Sequence, residues 1–79
     1  MASIITKPLN TLTKGESGII DSFSDDSLSL KLMEMGCLPG TQIEVTNIAP
    51  LGDPIAITVN DYQLALRKSE AKTVIIKMD

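Results

Sequence analysis

Residues 41–67 read TQIEVTNIAPLGDPIAITVNDYQLALR, and three alternating runs in this stretch set the expected fold. Ile43 and Val45, continued by Asn47, alternate with Gln42, Glu44 and Thr46, the period-two pattern of a half-buried strand. After Pro50-Leu51-Gly52-Asp53-Pro54, a dense cluster of turn formers, Ile55, Ile57 and Val59 alternate with Ala56 and Thr58. Asn60-Asp61 is a two-residue hairpin signal, and beyond it Tyr62, Leu64 and Leu66 take one face while Gln63, Ala65 and Arg67 take the other. Three strands joined by short turns form an antiparallel meander.

Working outward, Leu38-Pro39-Gly40-Thr41 has the composition of a type II turn, in which proline presets its own φ and glycine supplies the positive one. Before it, residues 24–36 change period. The cap-type cluster Ser24-Asp25-Asp26-Ser27 precedes apolar residues at helical spacing, and Gly36 with Pro39 beyond it ends the run. At about 100° per residue Leu28, Leu32 and Met35 share one face, while Leu30 and Met33 point elsewhere. Two apolar faces are one more than a surface helix needs. Residues 16–23 give a strand around Ile19, Ile20 and Phe23, with Gly18 marking a bulge or a close backbone approach. Residues 4–12 form an extended lead-in and one helical turn at Leu9 to Leu12. On the other side Ser69-Glu70-Ala71 reads as a helical turn, and Val74-Ile75-Ile76 as a strand buried on both sides. The expectation is a mainly β fold: a small, partly open β-barrel of about five strands, with one short helix between the first two, as a single domain over residues 1–79. No repeat or linker interrupts it.

Composition removes whole classes of function. With 79 residues there is room for one core only. The chain has no histidine, so the usual imidazole-based metal sites and Ser-His or Cys-His nucleophiles are excluded. The single cysteine, Cys37, cannot pair internally; it reads as a small buried hydrophobe. Net charge is −3, and neither half is basic, which argues against nucleic acid as a partner. Two aromatic residues, Phe23 and Tyr62, are too few for a base-stacking platform. With neither a leader nor a long apolar run, a cytoplasmic protein that does not insert into membrane is expected. No catalytic residue, cofactor or metal site is expected.

Three strings carry a resemblance: LMEMGCLPGT at residues 32–41, APLGDPI at 49–55 and LALRKSEA at 64–71. In this order and spacing the chain resembles the FeoA family of ferrous iron transport accessory proteins, from about Leu9 to Met78. The resemblance implies an SH3-like barrel, a cytoplasmic location and action on FeoB, a membrane transporter with a cytosolic GTPase domain. The same domain type is similar to the C-terminal module of iron- and manganese-dependent repressors.

Beside that stands what the residues themselves offer. Gly36, Pro39, Gly40, Gly52 and Pro54 are turn formers that fix loop shape. Asp53, between Gly52 and Pro54, is expected to bond its own turn backbone before any ligand. Arg67, Lys68 and Glu70 read as a solvated strand end, with an anionic partner surface as the lesser alternative. Glu34 with Glu70, or Asp25 with Asp26, are carboxylates that would hold ferrous ion only weakly. Leu30 and Met33 lie either under the barrel's own loops or against a partner, and with Leu51 and Asp53 they are the candidate partner-binding residues. The function expected is a non-enzymatic adaptor that binds a FeoB-type transporter and modulates or assembles it. The alternative is a free-standing repressor-type module in metal-responsive regulation. Self-association through the sheet margin stays open, without a specific signature.

Overall fold

The computed structural model describes residues 5–78. Its elements are β1 (Ile5–Pro8), a 3-10 turn (Leu9–Thr11), β2 (Ser17–Phe23), α1 (Asp26–Glu34), β3 (Gln42–Ile48), β4 (Ile55–Val59), β5 (Tyr62–Leu66), α2 (Lys68–Ala71) and β6 (Val74–Met78). All strand pairs are antiparallel, in one open six-stranded sheet of order β1-β6-β2-β3-β4-β5.

The mainly β, open architecture matches the expectation, with one strand more than counted. The lead-in is itself a strand, because Ile5 to Pro8 pair with Met78 to Ile75 of β6. Four residues ending in proline carry too little alternation to announce a strand, so its existence depends on a partner at the far end of the chain. The helix therefore joins the second and third strands. β6 fills the place between β1 and β2; Val74 and Ile76 face the core and are buried while Ile75, on the opposite face, is only half-covered, so the strand is not buried on both sides as expected.

The meander forms as its alternation demands, with two departures. Ile43, Val45, Ile55, Ile57 and Val59 are all buried. A register shift between Val45 and Asn47 turns Asn47 outward and brings Ile48 opposite Ile55, so the expected third inward position moves by one residue. In β5 Leu66 is fully buried, Leu64 is half-buried and Tyr62 is exposed. The strand is an edge, so only the part nearest α2 is covered on its inner face.

The turns obey their residue chemistry. Thr41 N–H donates to the Leu38 carbonyl at 3.1 Å while Gly40 takes φ +89°, the type II geometry. Asn60 and Asp61 both have positive φ, 47° and 69°, as a type I′ hairpin requires. Gly18 is the close approach: a Cβ built there would lie 2.4 Å from Ile76 Cγ2 and 2.8 Å from the Lys77 carbonyl oxygen, so β2 and β6 touch where no side chain fits. The bulge in β2 falls between Ile20 and Ser22, not at Gly18.

α1 is defined at both ends. Asp25 Oδ1 accepts from Ser27 N at 2.8 Å and from Ser27 Oγ at 2.6 Å, capping the first turn. At the other end Cys37 N–H reaches the Leu32 carbonyl and Gly36 N–H the Met33 carbonyl, a Schellman closure in which the buried Leu32 and Cys37 supply the accompanying apolar contact. The core combines these with Leu9, Leu12, Ile20, the β3 and β4 residues, Leu66, Ala71, Val74 and Ile76.

Candidate functional site

The two apolar faces of α1 have different fates. Leu32 has no exposed surface, and Leu28 and Met35 pack on the core beside it. Leu30 is 63% exposed and Met33 is half-buried, so the second face is not taken up by the chain's own loops. At the tip of the β3–β4 loop Leu51 is 93% exposed, the most uncovered large apolar side chain among the described residues. Nothing in its loop shields it, because Gly52 N–H donates to the Ala49 carbonyl at 2.7 Å and Ala49 N–H to the Pro54 carbonyl at 3.1 Å, closing the loop beneath its tip.

These positions share one neighbour. Lys31, adjacent to Leu30, pairs through Nζ with Glu70 Oε2 of α2 at 2.7 Å. Asp53, two residues beyond Leu51, accepts from the Lys68 N–H of α2 at 3.0 Å through Oδ1. The short helix α2 is thus the bracket between α1 and the β3–β4 loop. This corrects the expectation for Asp53, whose carboxylate bonds across 15 residues and not to its own turn. An α-helix starts with unpaired N–H groups, and an acceptor supplied from another loop satisfies one of them.

Glu70 departs further from expectation. Read in the sequence as part of a solvated strand end, it is 7% exposed. One oxygen takes Lys31, and the other accepts from Arg67 N–H at 2.9 Å. The Lys31 ammonium, followed by the Arg67 amide, holds its carboxyl below the ordinary value of 4.5. Asp25 is also held low, chiefly by the Ser27 hydroxyl, and both carboxylates are committed to structure. Burial, with Glu70 nearby, pushes the Cys37 thiol upward, and a fully covered neutral thiol is an inert hydrophobe. Among the described residues no group of three or more Asp, Glu or Cys side chains converges as a metal site would require.

Sequence reasoning gives Arg67 and Lys68 as an anionic partner surface only as the lesser alternative, and does not join Lys31 or Lys72 to them. Arg67, Lys68 and Lys72 are exposed on and beside α2, and Lys31 reaches the same helix from α1. Four of the seven basic side chains of an acidic chain therefore lie on, beside or against α2. The signal was present in Arg67-Lys68 and Lys72, but nothing in the one-dimensional order brings Lys31 to them. Gly36, Gly40 and Gly52 take the positive φ of turn residues, and Pro39 and Pro54 sit in the same turns. A depression of about 260 Å³ lined by Gln42, Ile43, Glu44, Thr58, Asn60 and Asp61 lies at the β4–β5 hairpin and contains none of the candidate residues.

A family model described as FeoA domain matches residues 7–78. Over 71 residues the chain is 30% identical to a Fe(2+) transport protein A/Fe(2+) transporter FeoB fusion protein of Porphyromonas gingivalis, a match covering 89% of this chain and 8% of that protein. The chain thus spans a small part of that curated relative. A FeoA-like protein of Clostridium acetobutylicum, solved by NMR, superposes with a TM-score of 0.85 at 34% identity, covering 99% of this chain and 90% of that one. FeoA of Stenotrophomonas maltophilia, crystallised with zinc and described as a prokaryotic SH3 domain protein, gives 0.75 at 30% identity, covering 91% and 88%. A manganese-dependent transcriptional repressor gives 0.86 at 12% identity over 99% of this chain and 44% of that one, a likeness of fold alone.

Proposed function

Since the chain belongs to the FeoA domain family, whose members are accessory proteins of ferrous iron transport, we propose that it acts by protein contact on a FeoB-type transporter, through Leu30, Met33 and Leu51. The observation that carries this is the Porphyromonas gingivalis relative, in which an iron transport protein A segment and a FeoB transporter are one polypeptide. Fusion keeps two modules at high effective concentration, which serves a pair that works in contact.

The chemistry of the partner surface follows from the α2 bracket. Exposed apolar side chains on two elements joined through a helix that carries Arg67, Lys68 and Lys72 on and beside it suit an apolar patch whose rim is acidic on the α2 side. Asp53 acts one step back, holding the loop that presents Leu51. The contact proposed is with the transporter's cytosolic GTPase domain; no helix among the described residues is long and apolar enough to cross a membrane. The adaptor would be cytoplasmic and non-enzymatic, and it would assemble the complex or favour one nucleotide state. A nucleotide bias can be no larger than the difference in affinity for the two states.

Binding of the full chain to that GTPase domain, loaded with GTP or GDP, tests this. Association is expected in at least one state, weaker at high salt, and weakened about tenfold or more by Leu30→Ser with Met33→Ser while the melting temperature stays nearly constant. No association in either state removes the proposal; a collapsed melting temperature shows that the two residues belong to the core.

A further inference from the structure

The two margins of the sheet are built differently. β1 is four residues long, carries Lys7 and ends in Pro8, which has no N–H to offer, and these features discourage strand addition. β5 has none of them: Tyr62-Gln63-Leu64-Ala65-Leu66 contains no charge, proline or glycine, and Tyr62, Gln63 and Ala65 are exposed. A two-residue hairpin closes on a hydrogen-bonded pair, here Val59 with Tyr62. Tyr62, Leu64 and Leu66 therefore direct their main-chain groups to β4, and Gln63 and Ala65 direct theirs outward. Among the described residues no turn or loop group takes up those of Gln63 and Ala65.

We propose that β5 is a dimerisation edge, pairing antiparallel with β5 of a second copy of this chain about a two-fold axis at Leu64. The free groups decide this register. About that axis Gln63 of one copy faces Ala65 of the other, and the reverse, so the outward N–H and C=O groups of both residues are matched. A slip toward the C-terminus would need the Arg67 N–H, which is already donated to Glu70 Oε1 at 2.9 Å. A slip the other way would bring in Asp61, whose φ of 69° is not that of a strand.

Charge selects the same arrangement. In it Asp61 of one copy and Arg67 of the second fall just beyond the paired residues at the same end of the strand pair, twice by symmetry, and both side chains are exposed. Opposite charges brought to the same end of a contact favour that arrangement, and like charges oppose it. Tyr62, 68% exposed on the face it shares with Leu64, gains the half-buried Leu64 of the second copy as a diagonal neighbour. Five residues per strand make a short interface, so association is weak and driven by concentration. The dimer does not require the transporter partner, although Arg67 borders both surfaces.

Sedimentation equilibrium of the full chain from micromolar to millimolar concentration tests it, with amide spectra at both extremes. A monomer–dimer equilibrium is expected, with concentration-dependent shifts centred on the Gln63 and Ala65 amides. Arg67→Glu places like charges at both ends of the strand pair and should weaken association about tenfold. Asp61→Lys added to Arg67→Glu should restore it. Ala65→Pro deletes an outward N–H without touching the ladder to β4 and should leave only monomer. Thermal melts confirm that each variant is folded; Arg67→Glu, an exposed position whose charge also acts on Glu70, carries the test if Ala65→Pro does not fold, with the Asp61→Lys rescue separating charge pairing from any loss at Glu70. A chain still monomeric at millimolar concentration overturns the proposal. So does a dimer indifferent to Arg67→Glu, or shifts that map to Leu30 and Leu51 instead. A chain that dimerises this way yet ignores the GTPase domain leaves the edge intact and refutes only the transporter contact.

Discussion

The two connections that flank β4 contrast sharply in how they are held. At one end Asn60-Asp61 turns the chain in two residues, and the row behind it, Gly18–Ile43–Val59–Tyr62, is held by main-chain pairing and by the bare backbone of Gly18 against β6. At the other end the β3–β4 loop is longer, and side chains tie it down: Asp53 to the Lys68 amide, with Glu70 to Lys31 and to the Arg67 amide on the same short helix. A tight turn only closes a sheet. A braced loop can hold an apolar side chain in solvent at a set position, and Leu51 is so held. Pre-positioning of this kind lowers the ordering cost of binding, which is why the braced corner, and not the tight hairpin, is the candidate contact surface.

Substitutions can break that contrast, and the largest effect is expected beneath the braced corner. Leu32→Ala empties a fully buried site under α1 and should cost about 2–5 kcal/mol, seen as a lower urea midpoint. If the loss were below about 1 kcal/mol, α1 would be loosely docked and would be no platform for Leu30. At the tight-hairpin row, Gly18→Ala drives a methyl into Ile76 and the Lys77 carbonyl and should cost roughly 1–3 kcal/mol. A neutral outcome would mean that β2 and β6 separate readily.

The bracket itself comes next. Glu70→Ala strips the acceptors of Arg67 N–H and Lys31 and should cost roughly 1–2 kcal/mol, less than a wholly buried pair because Lys31 is well exposed. Protons discriminate further. The Glu70 carboxyl is held below 4.5 in the folded chain, so its stabilisation is present above that value and is lost as pH falls through the lowered one. Glu16 and Asp25 are lowered too, by Thr13 and Ser27, and they act in the same direction. In acid titrations followed by circular dichroism, Glu70→Gln should be less stable than the native chain at neutral pH, and the gap should close below about pH 4.5. A gap that widens in acid would show that Glu70 has its proton when folded.

The smallest change is expected from Leu51→Ser. It should leave stability within about 0.5 kcal/mol, although it removes the same side chain type as Leu32→Ala. A melting temperature lowered by more than about 4 °C would place Leu51 in contact with the chain's own surface.

Much of this architecture was legible in one dimension. Alternation located β3, β4 and β5, and cap and stop residues bracketed α1, because these signals act between residues a few positions apart. The turns at Gly40 and Asn60-Asp61 were readable because backbone conformation there is limited by residue type. The candidate contact residues Leu30, Met33 and Leu51 could be named from sequence as apolar side chains without an evident place inside, and of these Leu30 and Leu51 are exposed.

What only the tertiary structure decided is whatever depends on two distant segments meeting. β1 is a strand because β6 returns beside it. Asn47 faces out because one extra residue shifts the register against β4. Asp53 and Glu70 have identical neighbours in sequence whether solvated or buried, and it is α2, wedged between α1 and the β3–β4 loop, that turns them into braces. Local preference specifies the conformation of each segment, while the worth of a charge depends on the solvent and partners around it, and those exist only once the chain has closed on itself.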